Sequence, residues 1–493
     1  MKLKNLNKNQ KLELILIGSV VLISLAICAF LSFQYFLLAD FPIGHDVILH
    51  IGKAMKIEQL GLLYSFKSST YPLASILFVF WHKFLALFGL SWERSFIFVE
   101  CFYLFLTAIL SGILSFKIFK DWRIAILTSF FVASSRWLNE SLRIGLAAET
   151  LGWVFFVLSL ILFFEKKWWW FLGSLILLFL SHPLPFGVLI LVILTFLIFM
   201  FFFGDKNEKK IVPYNLLILV LTLIIFYLIF PEVVQRIIYF LQSNFEPEGE
   251  RSLIQYVIDS NRKRVLFYSF AFFGFLILIL DEKKKNLFDS EKRRIWFFVL
   301  FVTISFLLAF KHYLSIHYLS YRFYTYFEIA TAILASLVLV KISDLLLNKK
   351  LSWLIIFPLI YFLIYPNWSA TKAITIWQLN DFSTQSATPR IDREALKEII
   401  PLLKSGSRIY SHNKWSWWFR IHNFKVMNDW GKAGDYQIYQ TENLEEFCSF
   451  LQRRNIKYIY FSSLDKKARI EKKNFLKKIY DKNNIRIYEV VKN

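Results

Sequence analysis

The sequence predicts an α-helical polytopic membrane protein that ends in a small water-soluble α/β domain. Of its 493 residues, 57% are hydrophobic and only 19% are charged, and the mean hydropathy of +0.49 is too high for an ordinary soluble domain. Apolar runs such as 14–38 and 185–203 approach or exceed the roughly 20 residues that a helix needs to cross a bilayer. After residue 366 the chain becomes polar and basic, which indicates a second kind of domain.

The charge distribution indicates membrane orientation. The formal net charge is +22, and Lys and Arg cluster between the apolar runs and in the C-terminal region. Clusters in those places contact anionic lipid and set topology, so we expect no nucleic-acid partner. The first apolar run is too long for a signal-peptide core and lacks a small-residue cleavage site, which predicts a retained signal anchor with a cytoplasmic N-terminus.

The basic clusters also determine the number of crossings. Cytoplasmic loops carry the excess of Lys and Arg, and one parity of crossings places the basic clusters between the helices inside. That parity requires residues 72–90 to form an interfacial or re-entrant helix, and it puts the C-terminus outside. About eleven crossings are predicted, at residues 14–38, 94–116, 123–138, 147–164, 168–181, 184–203, 212–230, 264–280, 295–310, 322–342 and 351–366.

We therefore expect three parts: a multi-pass domain in the cell membrane, residues 1–366; a linker, 367–390; and an extracytoplasmic α/β domain, 391–493. The first extracytoplasmic loop, 39–93, contains the interfacial helices. In the C-terminal domain the hydrophobic pattern predicts helices at 392–403 and around 444–451, a Lys-rich helix that ends at Asp481, and strands at 408–411, 456–461 and 485–491.

The first loop carries the most informative residues. A helix that begins near Asp46 places Asp46, His50 and Lys53 on one polar face, while Val47, Ile51, Ala54 and Met55 face the membrane. A carboxylate at a helix N-terminus, just above the bilayer, suits a general base that takes a proton from an acceptor hydroxyl. Asp46 also fits the plain role of an N-cap residue.

The whole layout resembles the GT-C superfamily of membrane glycosyltransferases. The resemblance rests on an acid soon after the first crossing, the run 44–50 with a helix to Gly61, Tyr71-Pro72 before an interfacial helix, and a later outside α/β domain. It implies that Asp46 is the catalytic base, with Asp40 in reserve. It also implies a polyprenyl-phosphate-linked sugar donor. The Trp-Trp-Asp motif of oligosaccharyltransferases is replaced by residues 415–419, Trp-Ser-Trp-Trp-Phe, so transfer of whole glycans to Asn is not expected.

The predicted outer mouth of the tenth crossing carries two candidate substrate-binding residues. Arg322 follows Tyr321, and a guanidinium at the interface would stabilise the charge that develops on a departing polyprenyl phosphate. The Tyr-Arg-Phe pattern resembles the lipid-phosphate arginine of GT-C relatives. An interfacial arginine that snorkels beside aromatic residues is the alternative.

Further ionisable residues converge on the same outer side. Arg143 and Glu149 flank the outer end of the fourth crossing, and His182 lies at the outer end of the fifth. Because ionisable groups at membrane depth are costly, function or pairing explains them. Glu149 is expected to position substrate hydroxyls, and an Arg143–Glu149 ion pair is the alternative. Glu100 and Glu328 also fall within helices, but the sequence assigns them no partner.

A divalent metal ion is the one cofactor that the sequence suggests. Asp46, His45 and His50 are candidate ligands for a divalent metal ion, although paired surface histidines usually bind none.

The function that follows is a hexosyl- or pentosyltransferase of the cell envelope, which inverts the anomeric carbon and uses a protein, lipid or glycan acceptor on the extracytoplasmic side. A transporter or flippase of a lipid-linked or anionic substrate is the main alternative. It is disfavoured because the polar groups cluster at one face, without paired broken helices at mid-membrane. A noncatalytic assembly scaffold that uses the basic outer domain is a third possibility.

Overall fold

The computed structural model describes residues 8–39, 47–69, 71–204, 206–235, 265–282, 290–310, 320–346, 390–411, 419, 424–427, 451–461 and 476–491. The N-terminal part is a helical bundle. Its helices are α1 (Lys8–Ser32), α2 (Gln34–Leu38), α3 (Val47–Leu60), α4 (Leu63–Ser68), α5 (Pro72–Ala86), α6 (Trp92–Phe119), α7 (Trp122–Ala133), α8 (Arg136–Ile144), α9 (Ala147–Phe164), α10 (Trp168–Ser181), α11 (Pro183–Phe203), α12 (Lys206–Ile229), α13 (Val265–Glu282), α14 (Ser290–Phe310) and α15 (Ser320–Leu346).

Four helices in the described ranges are long and apolar enough to cross a membrane: α6, α9, α11 and the 322–345 portion of α15. Several of the other apolar helices are shorter. The apolar part of α15 is buried along its whole length by neighbours that include α7, α13 and α14. The predicted crossing at 351–366 lies outside the described residues, so the count of about eleven stays a prediction, as does the topology.

The predicted crossing at 123–138 is divided in the structure. Helix α7 ends at Ala133, and Ser135 begins α8 by accepting a hydrogen bond from the backbone N–H of Leu138 at 3.4 Å. Two consecutive serines favour such a break, because their hydroxyls compete with the helical backbone for hydrogen bonds. Helix α8 therefore leads separately into α9.

The prediction that one face of α3 contacts the membrane is wrong. Val47, Ile51 and Ala54 are buried against α5, α6 and α9, and Met55 packs at the edge of the same cluster. The stripe is apolar as predicted, but protein helices cover it instead of lipid. The polar His50 is buried as well, with its ring stacked on Phe96 at 6.2 Å between centroids.

The C-terminal part contains helix α16 (Arg390–Ile399), which continues as a 3₁₀ turn (Ile400–Leu402), and a five-stranded mixed sheet. The strands are β1 (Arg408–Tyr410), β2 (Lys425–Met427), β3 (Tyr458–Phe461), β4 (Leu476–Lys482) and β5 (Ile485–Val490). Their order is β2-β1-β3-β5-β4, with β1 parallel to β2 and β3, and β5 antiparallel to β3 and β4. Alternate residues of the strands enter two clusters, one of which includes α16.

The predicted Lys-rich helix to Asp481 is wrong for residues 476–482, which form β4. Asn483 and Asn484 have φ angles of 55° and 65° and join β4 to β5 as a two-residue hairpin loop. Asparagine accepts this left-handed conformation, and such a loop favours two flanking strands. The remaining predicted elements at 392–403, 408–411, 456–461 and 485–491 agree with the structure within a few residues, whereas most of 444–451 lies outside the described residues.

Candidate functional site

Glu149 is the buried acid of the site. It lies in the first turn of α9, and its side chain is only 1% exposed. Among the described ion pairs, its counter-charge is Arg322, in the first turn of α15, whose Nη1 is 4.0 Å from Oε2 of Glu149. Neither carboxylate oxygen of Glu149 has a hydrogen-bond partner among the described residues. Buried carboxylate oxygens that accept no hydrogen bond are candidates for ligand contact.

His182 lies in the one-residue connection between α10 and α11 and is 3% exposed. Its Nδ1 accepts a hydrogen bond from the backbone N–H of Leu184 at 3.2 Å and so caps α11. Burial, and to a smaller degree the neighbouring Arg322 and His50, hold the pKa of His182 well below its usual range. The ring is therefore neutral at physiological pH.

Close packing determines where the His182 ring lies. Gly152 on α9 faces the α10–α11 connection, and a Cβ at this position would lie 2.7 Å from Cγ of Pro185 and 3.3 Å from Cβ of His182. On its other side the ring stacks on Tyr71, with centroids 4.7 Å apart and planes 11° apart. These contacts hold His182 next to the helix that carries Glu149.

The start of α3, in the first loop, also lies close to the helix that carries Glu149. Gly145, between α8 and α9, has φ +88°, and a Cβ there would lie 2.9 Å from the backbone N of Val47. The first residue of α3 therefore packs against the connection that leads to Glu149. At the loop's first end, Arg94 donates to the carbonyls of Phe36 (2.9 Å) and Ala39 (2.5 Å) and anchors the chain just before Asp40.

The structure brings four of the predicted site residues together and leaves the positions of others undescribed. Glu149, Arg322, His182 and His50 interact with at least one other member of the group. Arg143 and Tyr321 belong to α8 and α15, but their side chains are not described. Asp40, His45 and Asp46 lie outside the described residues. No group of three or more metal-binding side chains occurs within the described part of the chain, and because His45 and Asp46 fall outside it, the metal site stays a prediction.

Two residues of the site were missed by the sequence reasoning. Trp153 and Tyr326 are fully buried, and neither the indole N–H nor the phenolic O–H has a hydrogen-bond partner in the described ranges. Trp153 is four residues after Glu149, and Tyr326 is four residues after Arg322. Each therefore lies on the same face of its helix as that charged residue. That spacing, visible in the sequence, was the available signal.

The structure also gives partners to the two unassigned acids. Glu328, buried on α15, accepts hydrogen bonds from Tyr268 on α13 (2.6 Å) and from Ser135 at the start of α8 (2.9 Å). Glu100 on α6 accepts from Thr150 on α9 at 3.2 Å. Both acids therefore connect the helices that carry Glu149 and Arg322 to their neighbours.

No family model matches the sequence, and no curated protein matches it. Solved structures do match its fold. ArnT of Cupriavidus metallidurans, an aminoarabinose transferase, matches in its apo state with a TM-score of 0.61 and 11% identity, over 96% of this chain and 98% of ArnT. Its complex with undecaprenyl phosphate matches over the same shares, with a TM-score of 0.59 and 12% identity.

The archaeal oligosaccharyltransferase AglB of Archaeoglobus fulgidus, in complex with an inhibitory peptide and a dolichol-phosphate, matches with a TM-score of 0.58 and 12% identity. That match covers 89% of this chain and 69% of AglB. These structural neighbours are polyprenyl-phosphate-dependent GT-C glycosyltransferases. The chain therefore has the fold of GT-C glycosyltransferases, as the layout of its sequence indicated.

Proposed function

We propose that this protein is a membrane glycosyltransferase that moves a sugar from a polyprenyl-phosphate donor to an acceptor on the extracytoplasmic side. The observation that carries the proposal is the buried cluster of Glu149, His182 and Arg322, at the ends of three helix segments in a GT-C fold. Structural neighbours with this fold bind dolichol-phosphate and undecaprenyl phosphate. The same class of lipid phosphate fits a site that presents a guanidinium at the end of an apolar helix.

Arg322 is the proposed phosphate-binding residue. It is 16% exposed, so its guanidinium is shielded from water without being closed off from a ligand. Its Nη1 lies 4.0 Å from Oε2 of Glu149, a distance too long for a hydrogen bond. Planar guanidinium groups bind phosphate oxygens with two parallel hydrogen bonds, and they do so most strongly in a shielded site. Tyr321, beside it, and Arg143 are proposed to line the same region.

Asp46 is the proposed general base, with Asp40 in reserve. Asp46 is bonded directly to Val47, whose backbone packs against Gly145, four residues before Glu149. In the proposed reaction the acceptor hydroxyl oxygen forms a bond to the anomeric carbon, and its proton passes to Asp46. The bond between that carbon and the phosphate oxygen breaks, and the electron pair stays on the phosphate. Attack from the opposite side inverts the anomeric carbon.

Glu149 is proposed to accept hydrogen bonds from sugar hydroxyls, because both of its oxygens lack partners within the described structure. His50 is proposed to contribute to the same polar surface. A divalent cation is no part of the proposed steps. Asp46, His45 and His50 stay the candidate ligands for such an ion. The C-terminal sheet domain is proposed to shape the acceptor groove outside the membrane.

The test is a reconstitution. Purified protein in proteoliposomes would be given polyprenyl-phosphate-linked hexoses and pentoses one at a time, with a lipid, glycan or peptide acceptor, and the products analysed by mass spectrometry. Protein-dependent release of free polyprenyl phosphate with a sugar gained by an acceptor supports the proposal. Movement of unchanged lipid-linked sugar between leaflets, without release of phosphate, would support a flippase instead.

The close approach at Gly152 gives a prediction for this activity. A methyl group in Gly152→Ala would press on Pro185 and His182, so we expect transfer to fall at least about tenfold while overpacking costs about 1–3 kcal/mol of stability. The matched control is Gly187→Ala on α11, where a Cβ would meet nothing within 4 Å. Thermal unfolding and initial transfer rates of both variants measure the effect. Equal behaviour of the two variants would contradict this packing.

A further inference from the structure

We propose that the Nε2–H group of His182 donates a hydrogen bond to an oxygen of the lipid phosphate that leaves during transfer. This inference rests on the proposed function and assigns a specific role to one atom within it. His182 would be a phosphate-binding residue that acts as a neutral donor beside the charged Arg322.

The tautomer of the ring follows from one contact. A neutral imidazole carries a single N–H, and the Nδ1 of His182 is occupied as the acceptor for the backbone N–H of Leu184. The proton must therefore be on Nε2. Capping of α11 thus has a chemical consequence, because it fixes which ring nitrogen can donate to a ligand.

The Nε2–H group has no acceptor in the described structure. The hydrogen bond to Leu184 is the only one that the His182 side chain makes with described residues, although 97% of the residue is buried. Nε2 is not among the fully buried atoms that lack a partner, so this edge of the ring remains accessible to a ligand. The stacking on Tyr71 and the hydrogen bond from Leu184 hold the ring in this orientation. A bound ligand would supply the missing acceptor.

The charges around the ring indicate that this acceptor is anionic. Arg322 and His50 are the charged or titratable neighbours that interact with His182. The charge of Arg322 favours an anion nearby, and Arg322 is the residue proposed to hold the phosphate. Glu149 does not supply this acceptor, because neither of its oxygens has a hydrogen bond from His182.

A neutral hydrogen-bond donor suits the phosphate as it leaves the sugar. The donor phosphodiester has one negative charge, and the phosphate monoester gains a second when its bond to the sugar breaks. A hydrogen bond from Nε2–H strengthens as that charge develops, so it favours the transition state over the bound substrate. The proton stays on the ring, and no proton has to be recovered before the next turnover.

Two substitutions of His182 test the roles of Nδ1 and Nε2 separately. In His182→Asn the side-chain oxygen can replace Nδ1 as the cap of α11, but nothing replaces Nε2–H. In His182→Gln the amide N–H₂ can reach the position of Nε2, but the cap is lost. We expect His182→Asn to keep the wild-type unfolding temperature and to bind polyprenyl phosphate about 10- to 100-fold more weakly. We expect His182→Gln to unfold at a lower temperature and to keep most of the affinity.

The probes are polyprenyl monophosphate, the uncharged polyprenol and inorganic phosphate, each titrated into the full-length protein in detergent or nanodiscs. The loss in His182→Asn should be confined to the polyprenyl phosphate. Binding of polyprenyl phosphate by His182→Asn at wild-type affinity would overturn the role of Nε2, as would parallel losses of stability and affinity in both variants. Failure of the wild-type protein both to bind polyprenyl phosphate and to release it in the transfer assay would instead overturn the proposed function.

Discussion

Replacement of Arg322 by Met is expected to abolish transfer and to lower the free energy of unfolding by about 3 kcal/mol. The substitution removes the proposed phosphate ligand, and it also leaves the carboxylate of Glu149, 1% exposed, without its counter-charge. Removal of one member of a buried ion pair costs more than the pair itself contributes, because the remaining charge stays desolvated. Thermal or denaturant unfolding and the transfer assay measure the two effects separately.

A double variant separates the effect of the lost counter-charge on stability from the effect of the lost phosphate ligand on binding. The double variant Glu149→Gln, Arg322→Met no longer buries a lone charge, so we expect it to regain most of the stability. It should still fail to bind polyprenyl phosphate. Recovery of both stability and phosphate binding in the double variant would show that Arg322 serves Glu149 and not the ligand.

Arg123 on α7 provides a matched control, because its ion pair is also with a residue of α15. Its side chain is 14% exposed and is paired with Asp344, near the other end of α15, with N–O distances of 2.6 and 3.0 Å. Arg123→Met should also lower stability, because it breaks a well-formed pair. The affinity for polyprenyl phosphate should not change, because this pair lies far along α15 from Arg322. A similar loss of affinity in both arginine variants would indicate a general effect of helix destabilisation.

Replacement of Asp46 by Asn is expected to lower kcat by about 10²- to 10⁴-fold, the usual contribution of a general base. Asparagine caps helices as well as aspartate does, so α3 and the unfolding temperature should be unaffected. The KM for the lipid-linked donor should change little, because the phosphate is held elsewhere. This pattern separates a catalytic carboxylate from a capping residue, which would give no loss of activity.

Asp40→Asn is the companion variant. If Asp46 is the base, Asp40→Asn should retain most of its activity. A large loss in Asp40→Asn together with retained activity in Asp46→Asn would move the role of base to Asp40. Initial rates at saturating donor and acceptor, for both variants and the wild type, decide between the two carboxylates.

Much of the helical part follows from the sequence because long apolar runs leave few alternatives. Helices α9 and α10 begin and end at the predicted residues, since basic and aromatic residues or a Pro mark their limits. The juxtaposition of Glu149, His182 and Arg322 was also predictable in outline. Charge asymmetry between loops predicts that the three residues lie on one side, and the burial cost of ionisable groups predicts that they pair.

Other features could not be derived in this way. The apolar stripe of α3 was visible, but a stripe does not tell whether lipid or another helix covers it. The Lys-rich segment before Asp481 resembles a helix in composition, and only the Asn483-Asn484 turn indicates the strands that the structure contains. Gly152 and Gly145 look ordinary in sequence, because their importance depends on which distant residues approach them.

The most direct test of the central proposal is an experimental structure of the protein with polyprenyl phosphate bound. We expect the phosphate to lie within hydrogen-bonding distance of Arg322 and of Nε2 of His182. We also expect the carboxylate of Asp46 to face it across a space that fits one sugar ring, at the extracytoplasmic end of the helices. A phosphate bound away from Arg322, or an Asp46 carboxylate on the other side of the membrane from it, would contradict the proposed enzyme.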